Sequence, residues 1–193
     1  MKILSLSVML FALLFQTSTL AAQEITVLKR GERDNPWVPN SAITQHAAYA
    51  GYLAAGFGYE WRDTWAVDLL YGYTPEEFAG EAVHSWTLKS LAYIGAVGSR
   101  DVVRVRPYVG LSINYSPDSE LFLQVPSQYP AGYYPASAVR PALIGGLEVR
   151  VQSQLAIGFE FAVLDSELAY ATDSKNFDPE YMGSSGLSVR WLL

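Results

Sequence analysis

Few side chains in this sequence could do covalent chemistry, and their spacing decides what they can do. There are two histidines, His46 and His84, and no cysteine. Acyl transfer by a hydroxyl needs a serine, a histidine base and an acid that orients the base. His84 is followed by Ser85, but in an extended segment neighbouring side chains point to opposite faces. Trp86 takes the position that would share the histidine's face. His46 stands at a loop-to-strand junction with no serine two places away. No catalytic motif results, and no enzyme activity is expected. The acids and histidines show no metal-ligand spacing, and no glycine-rich phosphate loop is present. Neither metal nor cofactor is expected.

A second set of chemically capable residues is larger. Glu60, Asp68, Lys89, Arg104, Arg106, Arg140, Glu148, Arg150, Glu160 and Arg190 all fall in alternating segments. Each lies on the parity opposite the bulky apolar residues. One reading is a polar path or binding site; the other is a salt-bridged plug, because buried charges must be paired. The plug is the expectation.

The elements that carry these residues read as strands. From Thr64 to Ile94, Trp65, Val67, Leu69, Tyr71 and Tyr73 alternate with Ala66, Asp68, Leu70 and Gly72. After the polar link 74–83, Trp86, Leu88, Ser90, Ala92 and Ile94 alternate with Thr87, Lys89, Leu91 and Tyr93. Period-two alternation predicts two strands, each with one apolar and one small or polar face. The same pattern predicts strands over 47–61, 103–115, 139–151, 155–164 and 184–193. A weaker one is predicted over 24–30 (EITVLKR), followed by a loop containing Pro36 and Pro39. That makes eight.

Composition narrows the setting. Half of the 193 residues are hydrophobic, only 17% are charged, and the net charge is −6. No basic run exists, which argues against nucleic acid. Lys2, the apolar run 3–15 and small residues up to Ala22 predict a cleaved secretory signal over 1–22, leaving one barrel domain over 23–193. No later run is apolar for the length a helical span requires.

Strands of about ten residues suit a tilted crossing of the bilayer. The connections alternate long and short, as in outer-membrane barrels. Aromatic residues cluster at strand ends: Tyr59, Trp61, Trp65 and Trp191 at one rim, Tyr71, Tyr73, Trp86 and Tyr115 at the other. The fold expected is all-β, an eight-stranded antiparallel transmembrane β-barrel in a bacterial outer membrane. Its partners would be outer-membrane lipid, lipopolysaccharide and the barrel-assembly machinery. The Pro- and Tyr-rich stretch 116–138 would display Phe122, Tyr129, Tyr133 and Tyr134 as an external contact surface.

Leu70-Tyr71-Gly72-Tyr73-Thr74-Pro75, Gly80 and His84-Ser85-Trp86-Thr87-Leu88-Lys89 resemble the central hairpin of small, mostly uncharacterised bacterial outer-membrane barrels. The architecture is similar to that of lipid A 3-O-deacylases and OmpX-type proteins. The resemblance implies a membrane barrel; the deacylases' His and Ser two apart on one strand are missing here. The C-terminus departs too, with Trp191 two places before the end where such barrels place a final aromatic. The expected role is non-enzymatic: membrane integrity, or surface contact through external loops. The alternatives are a lipid-modifying hydrolase and a soluble, lipocalin-like periplasmic carrier.

Overall fold

The structure is a computed structural model that describes residues 38–99, 102–117, 138–152, 154–165, 167–168 and 183–193. Among the described residues nine strands form one sheet: β1 (Ser41–Ala47), β2 (Leu53–Trp61), β3 (Trp65–Thr74), β4 (Val83–Tyr93), β5 (Val97–Gly98), β6 (Val103–Tyr115), β7 (Val139–Val151), β8 (Leu155–Leu164) and β9 (Ser184–Leu192). Sequential neighbours other than β4 and β5 pair antiparallel, β1 pairs with β9, and β4 pairs with β6. The sheet therefore closes on itself. β5 pairs only with the start of β6, so eight long strands make the wall.

The wall is apolar outside and charged inside. Along β3, Trp65, Leu69, Tyr71 and Tyr73 are exposed, whereas Ala66, Asp68, Leu70 and Gly72 are buried. Leu111 is 61% exposed and Phe57 60%, while Arg106 is 0% exposed. A soluble carrier would have the reverse arrangement, with its greasy face turned in. Exposed apolar side chains run around the whole barrel, through Leu69, Leu88, Leu143, Leu147, Phe159 and Leu187. Soluble proteins rarely show so large a continuous patch. A closed barrel also pairs its strand backbones internally, as hydrocarbon requires. This is the surface of a membrane-spanning barrel. Among the described residues no helix is long and apolar enough to cross a membrane; the crossing is made by strands.

Eight inward faces crowd a narrow bore, so several inward positions must be small. A Cβ on Gly58 would lie 2.2 Å from Asp68 Oδ1 and 3.0 Å from Arg190 Nη1. The glycine makes room for that ion pair. Small apolar clusters fill the space between the charges, one of Ile43, Ala50, Ala54 and Leu70, another including Leu91, Tyr93, Tyr108 and Ile144.

The beginning of the barrel differs from the sequence expectation. Residues 24–30 lie outside the described residues, as does the expected signal segment. The first wall strand is Ser41–Ala47, which begins inside the stretch 31–45 read as a loop. The strand expected over 47–61 begins only at Leu53, because the chain turns through a single 3-10 turn at Ala48–Ala50. The first connection is therefore short, not long. The polar link after β3 contains one four-residue helical turn, α1 (Glu76–Ala79), closed by Gly80 in the left-handed region.

Candidate functional site: the filled lumen and the outer aromatic rim

Each of the eight wall strands sends a polar side chain into the lumen, and these join into linked groups. In the first, Lys89 Nζ lies 2.5 Å from Glu160 Oε1 and donates to Gln45 Oε1 at 2.6 Å. Gln45 Nε2 donates to the same Glu160 oxygen at 3.2 Å. In the second, Arg190 grips Asp68 with two parallel bonds of 2.9 and 2.6 Å, and Nη1 also donates to Ser41 Oγ at 3.1 Å.

The third group is the densest. Arg106 donates to both oxygens of Glu60, at 3.0 and 3.1 Å, and also to Glu148. Its guanidinium lies 3.7 Å over the Tyr93 ring, and the Tyr93 hydroxyl donates to Glu148 at 3.0 Å. Arg150 reaches Glu60 at 2.5 Å and Asp63 at 3.2 Å, and Arg104 reaches Asp63 at 2.9 Å. Arg190 Nε, 3.4 Å from Glu148 Oε2, connects this group to the second.

Lys89 and four arginines thus face Asp63, Asp68, Glu60, Glu148 and Glu160, five cations against five carboxylates. Isolated charges in such a space would be prohibitively costly; matched and multiply bonded, they can stand. Between the first two groups remains a cavity of about 20 Å³ bordered by Gln45, Asp68, Lys89 and Ser188, room for about one water.

Nine of the ten charges read from the sequence as inward-facing belong to these groups. Arg140 is the exception: it is exposed near the mouth, beside Asn114 in the ladder. Sequence reading missed Asp63, because it belongs to a turn, and Gln45, because its strand was taken for a loop. Parity places Tyr93 and Tyr108 inward but says nothing of their carboxylate partners.

At the end opposite the 62–64 turn, the 48–50 turn folds into the mouth. Ala47 and Ala48 hold φ of 62° and 51°, and Gly51 holds 121°. Ser85 Oγ donates to Ala50 O at 3.0 Å. Asn114 Nδ2 donates to Tyr49 O at 2.7 Å and to Thr87 Oγ1 at 2.8 Å. Burial, and then the carboxylates of Glu167, Glu160 and Asp165, push the Tyr49 hydroxyl well above the ordinary phenol range. It remains a neutral stopper.

The outer surface of the same end is aromatic. Ladder register sets His46, Leu53, Tyr73 and His84 in one row across β1 to β4. The row beneath holds Tyr71, Trp86 and Tyr115. Tyr71 hydroxyl and His84 Nδ1 are 2.6 Å apart, and the Tyr71 and Trp86 rings 5.0 Å. His46 Nδ1–H donates to Tyr52 O at 2.6 Å. Tyr52 stacks on Phe78 of α1, centroids 4.4 Å apart and planes within 12°. At the opposite rim Trp61 faces Trp65, Tyr59 stacks beside Trp61, and Trp191 is exposed. Phe122, Tyr129, Tyr133 and Tyr134 lie outside the described residues.

Ser85 and His84 do not meet. The serine is buried and bonded to Ala50, and the histidine is exposed and bonded to Tyr71.

The N-terminal β-barrel domain of Pseudomonas aeruginosa OprF is similar in structure at 14% identity, over 80% of this chain and 98% of that one, with a TM-score of 0.48. The outer membrane enzyme PagL is similar at 13% identity, over 78% of this chain and 95% of that one, with a TM-score of 0.41. No family model and no curated protein sequence matches the chain.

Proposed function

We propose that this chain is a non-enzymatic barrel of the outer membrane of a Gram-negative bacterium. It closes its own lumen and acts through the surfaces it presents to the membrane and to the exterior. The observation that carries this reading is the five-against-five charge network, which draws on seven of the eight wall strands, is bonded to Ser41 and Gln45 of β1, and borders a cavity with room for about one water. Such an interior favours a rigid membrane body over a solute channel. Among the described residues, the adjacent His84 and Ser85 do not combine for lipid hydrolysis, since His84 is tied to Tyr71 and Ser85 points the other way. The outward alternation of Leu187, Val189 and Trp191 along β9 is the pattern the barrel-assembly machinery would engage before the barrel closes. The connection carrying Phe122, Tyr129, Tyr133 and Tyr134 supplies the external contact surface.

Planar-bilayer recording of the full-length protein tests the closed lumen. Bilayers containing the folded barrel should stay at baseline conductance, and regular stepwise openings would contradict the reading. Incubation with lipopolysaccharide should release no fatty acid; release abolished by His84→Ala would make the protein a hydrolase.

A further inference from the structure

We propose that the aromatic platform of Tyr52, Phe78 and Tyr73, flanked by His46 and His84, holds the sugar ring of a glycolipid in the outer leaflet of the same membrane. The inference rests on the membrane reading and goes beyond it, from a wall that meets lipid to a place that selects a headgroup.

Position is the first argument. The row His46, Leu53, Tyr73, His84 lies directly above the row that ends the apolar belt, so the platform continues the lipid-facing surface upward. Tyr52 and Phe78 stand beyond the strand ends, 42% and 62% exposed. This is the depth of lipid headgroups rather than acyl chains. Stacked rings here shield no core, since Phe78 belongs to a four-residue turn with no buried residue.

Shape and polarity are the second. A sugar ring offers an apolar C–H face and a rim of hydroxyls, and flat aromatic faces with polar edges match that pattern. The carbonyl of Tyr52 can only accept, so His46 Nδ1 carries the proton of that bond, and Nε2 can hydrogen-bond a hydroxyl, which both donates and accepts. The two imidazoles bracket Leu53 and Tyr73. Three strand spacings separate them, roughly 14 Å, which admits one or two sugar rings.

Charge is the third, and it favours a sugar over a phosphate as the recognised group. There is no Lys or Arg between residues 34 and 61, or between 63 and 88, so the strands bearing the platform offer no outward cation. The charged residues flanking Phe78 are Glu76, Glu77 and Glu81, all exposed. Acids beside a phosphate would repel it, but they accept hydrogen bonds from sugar hydroxyls.

The test uses full-length protein folded in phosphatidylcholine vesicles that contain equal small fractions of diglucosyl diacylglycerol and phosphatidylglycerol. Protein released into detergent is weighed with its retained lipids by native mass spectrometry. The glucosyl lipid should be retained over phosphatidylglycerol by roughly fivefold, the scale of one aromatic contact. Tyr52→Ala with Phe78→Ala should abolish that preference. Phe159→Ala, which removes an exposed ring from the far wall, should leave it intact. Equal retention of the two lipids, or equal loss in both variants, overturns the proposal. Displacement by free maltose would assign the platform to a soluble glycan and overturn the membrane occupant. Vesicle flotation and a mobility shift on boiling, recorded on the same samples, separate the two failures. A chain that neither floats nor shifts defeats the membrane reading, whereas a floating barrel without preference defeats this inference alone.

Discussion

Arg190 and Asp68 clasp across the lumen by two bonds of 2.9 and 2.6 Å, although their strands, β9 and β3, are not neighbours in the sheet. Both side chains are almost wholly buried. The pair therefore fastens opposite walls and fills the bore with the same atoms. Arg190 also touches Ser41 and Glu148, so the clasp lies at the crossing of the interior groups.

Removing one partner of this clasp should cost more than removing both. Asp68→Asn leaves Arg190 half-paired in a dry interior, and a loss of about 3–5 kcal/mol is expected. Asp68→Leu combined with Arg190→Met should recover a good part of it, since a buried pair replaced by apolar groups is often neutral. Urea unfolding from vesicles, followed by the mobility shift, measures all three proteins. A single substitution without effect would show that the pair is not held in the lumen.

The inserted turn should respond to a single methyl group. A Cβ on Gly72 would fall 1.6 Å from Ala50 O, so Gly72→Ala cannot coexist with the turn in the mouth. The loss should be about 1–3 kcal/mol. Asn114→Ala removes the bonds to Tyr49 O and Thr87 Oγ1 and should loosen the same turn without a clash. In both variants hydrogen exchange at 48–51 should accelerate while mid-strand amides stay protected. Unchanged protection at those residues would contradict the inserted turn.

A charge on the belt should be expensive, and the same charge off it should not. Leu69→Arg, at the middle of β3, is expected to cost about 2–4 kcal/mol. Val97→Arg, on the short β5 arm outside the wall, should change stability little. Equal effects in vesicle unfolding would mean that the outer face does not meet hydrocarbon.

How much of this was legible in the sequence follows from what surrounds each strand. β3, β6, β7 and β8 stand between lipid and a packed lumen, so their alternation is nearly unbroken. β1 sends out only Ala42, Thr44 and His46, and Thr44 and His46 carry no hydrophobic signal. Without greasy residues on its outer face, the stretch 41–45 read as loop and EITVLKR took its place. Tyr49 deepened the error: it has the parity of Leu53, but the positive φ values at Ala47 and Ala48 turn it inward. No propensity foretells two alanines there.

The interior was legible by side but not by partner. Parity says that Lys89 points inward, and its neighbour across the ladder is Asp68. Yet Lys89 bonds Glu160, and Asp68 bonds Arg190. Which carboxylate lies within reach depends on the stagger of the closed barrel, which no single strand encodes. Arg140 shares the inward parity but stands too near the mouth to be enclosed.

The most direct test of the central claim, a closed barrel with its apolar face in lipid, exploits the absence of cysteine. Leu111→Cys and, separately, Thr87→Cys provide single sites for a nitroxide spin label in vesicle-reconstituted protein. Leu111 faces out and Thr87 in. The label at 111 should collide readily with oxygen dissolved in the bilayer and be shielded from a water-soluble nickel chelate. The label at 87, where it can be introduced, should meet neither. Free access of the chelate to position 111 in vesicle-bound protein would contradict the account.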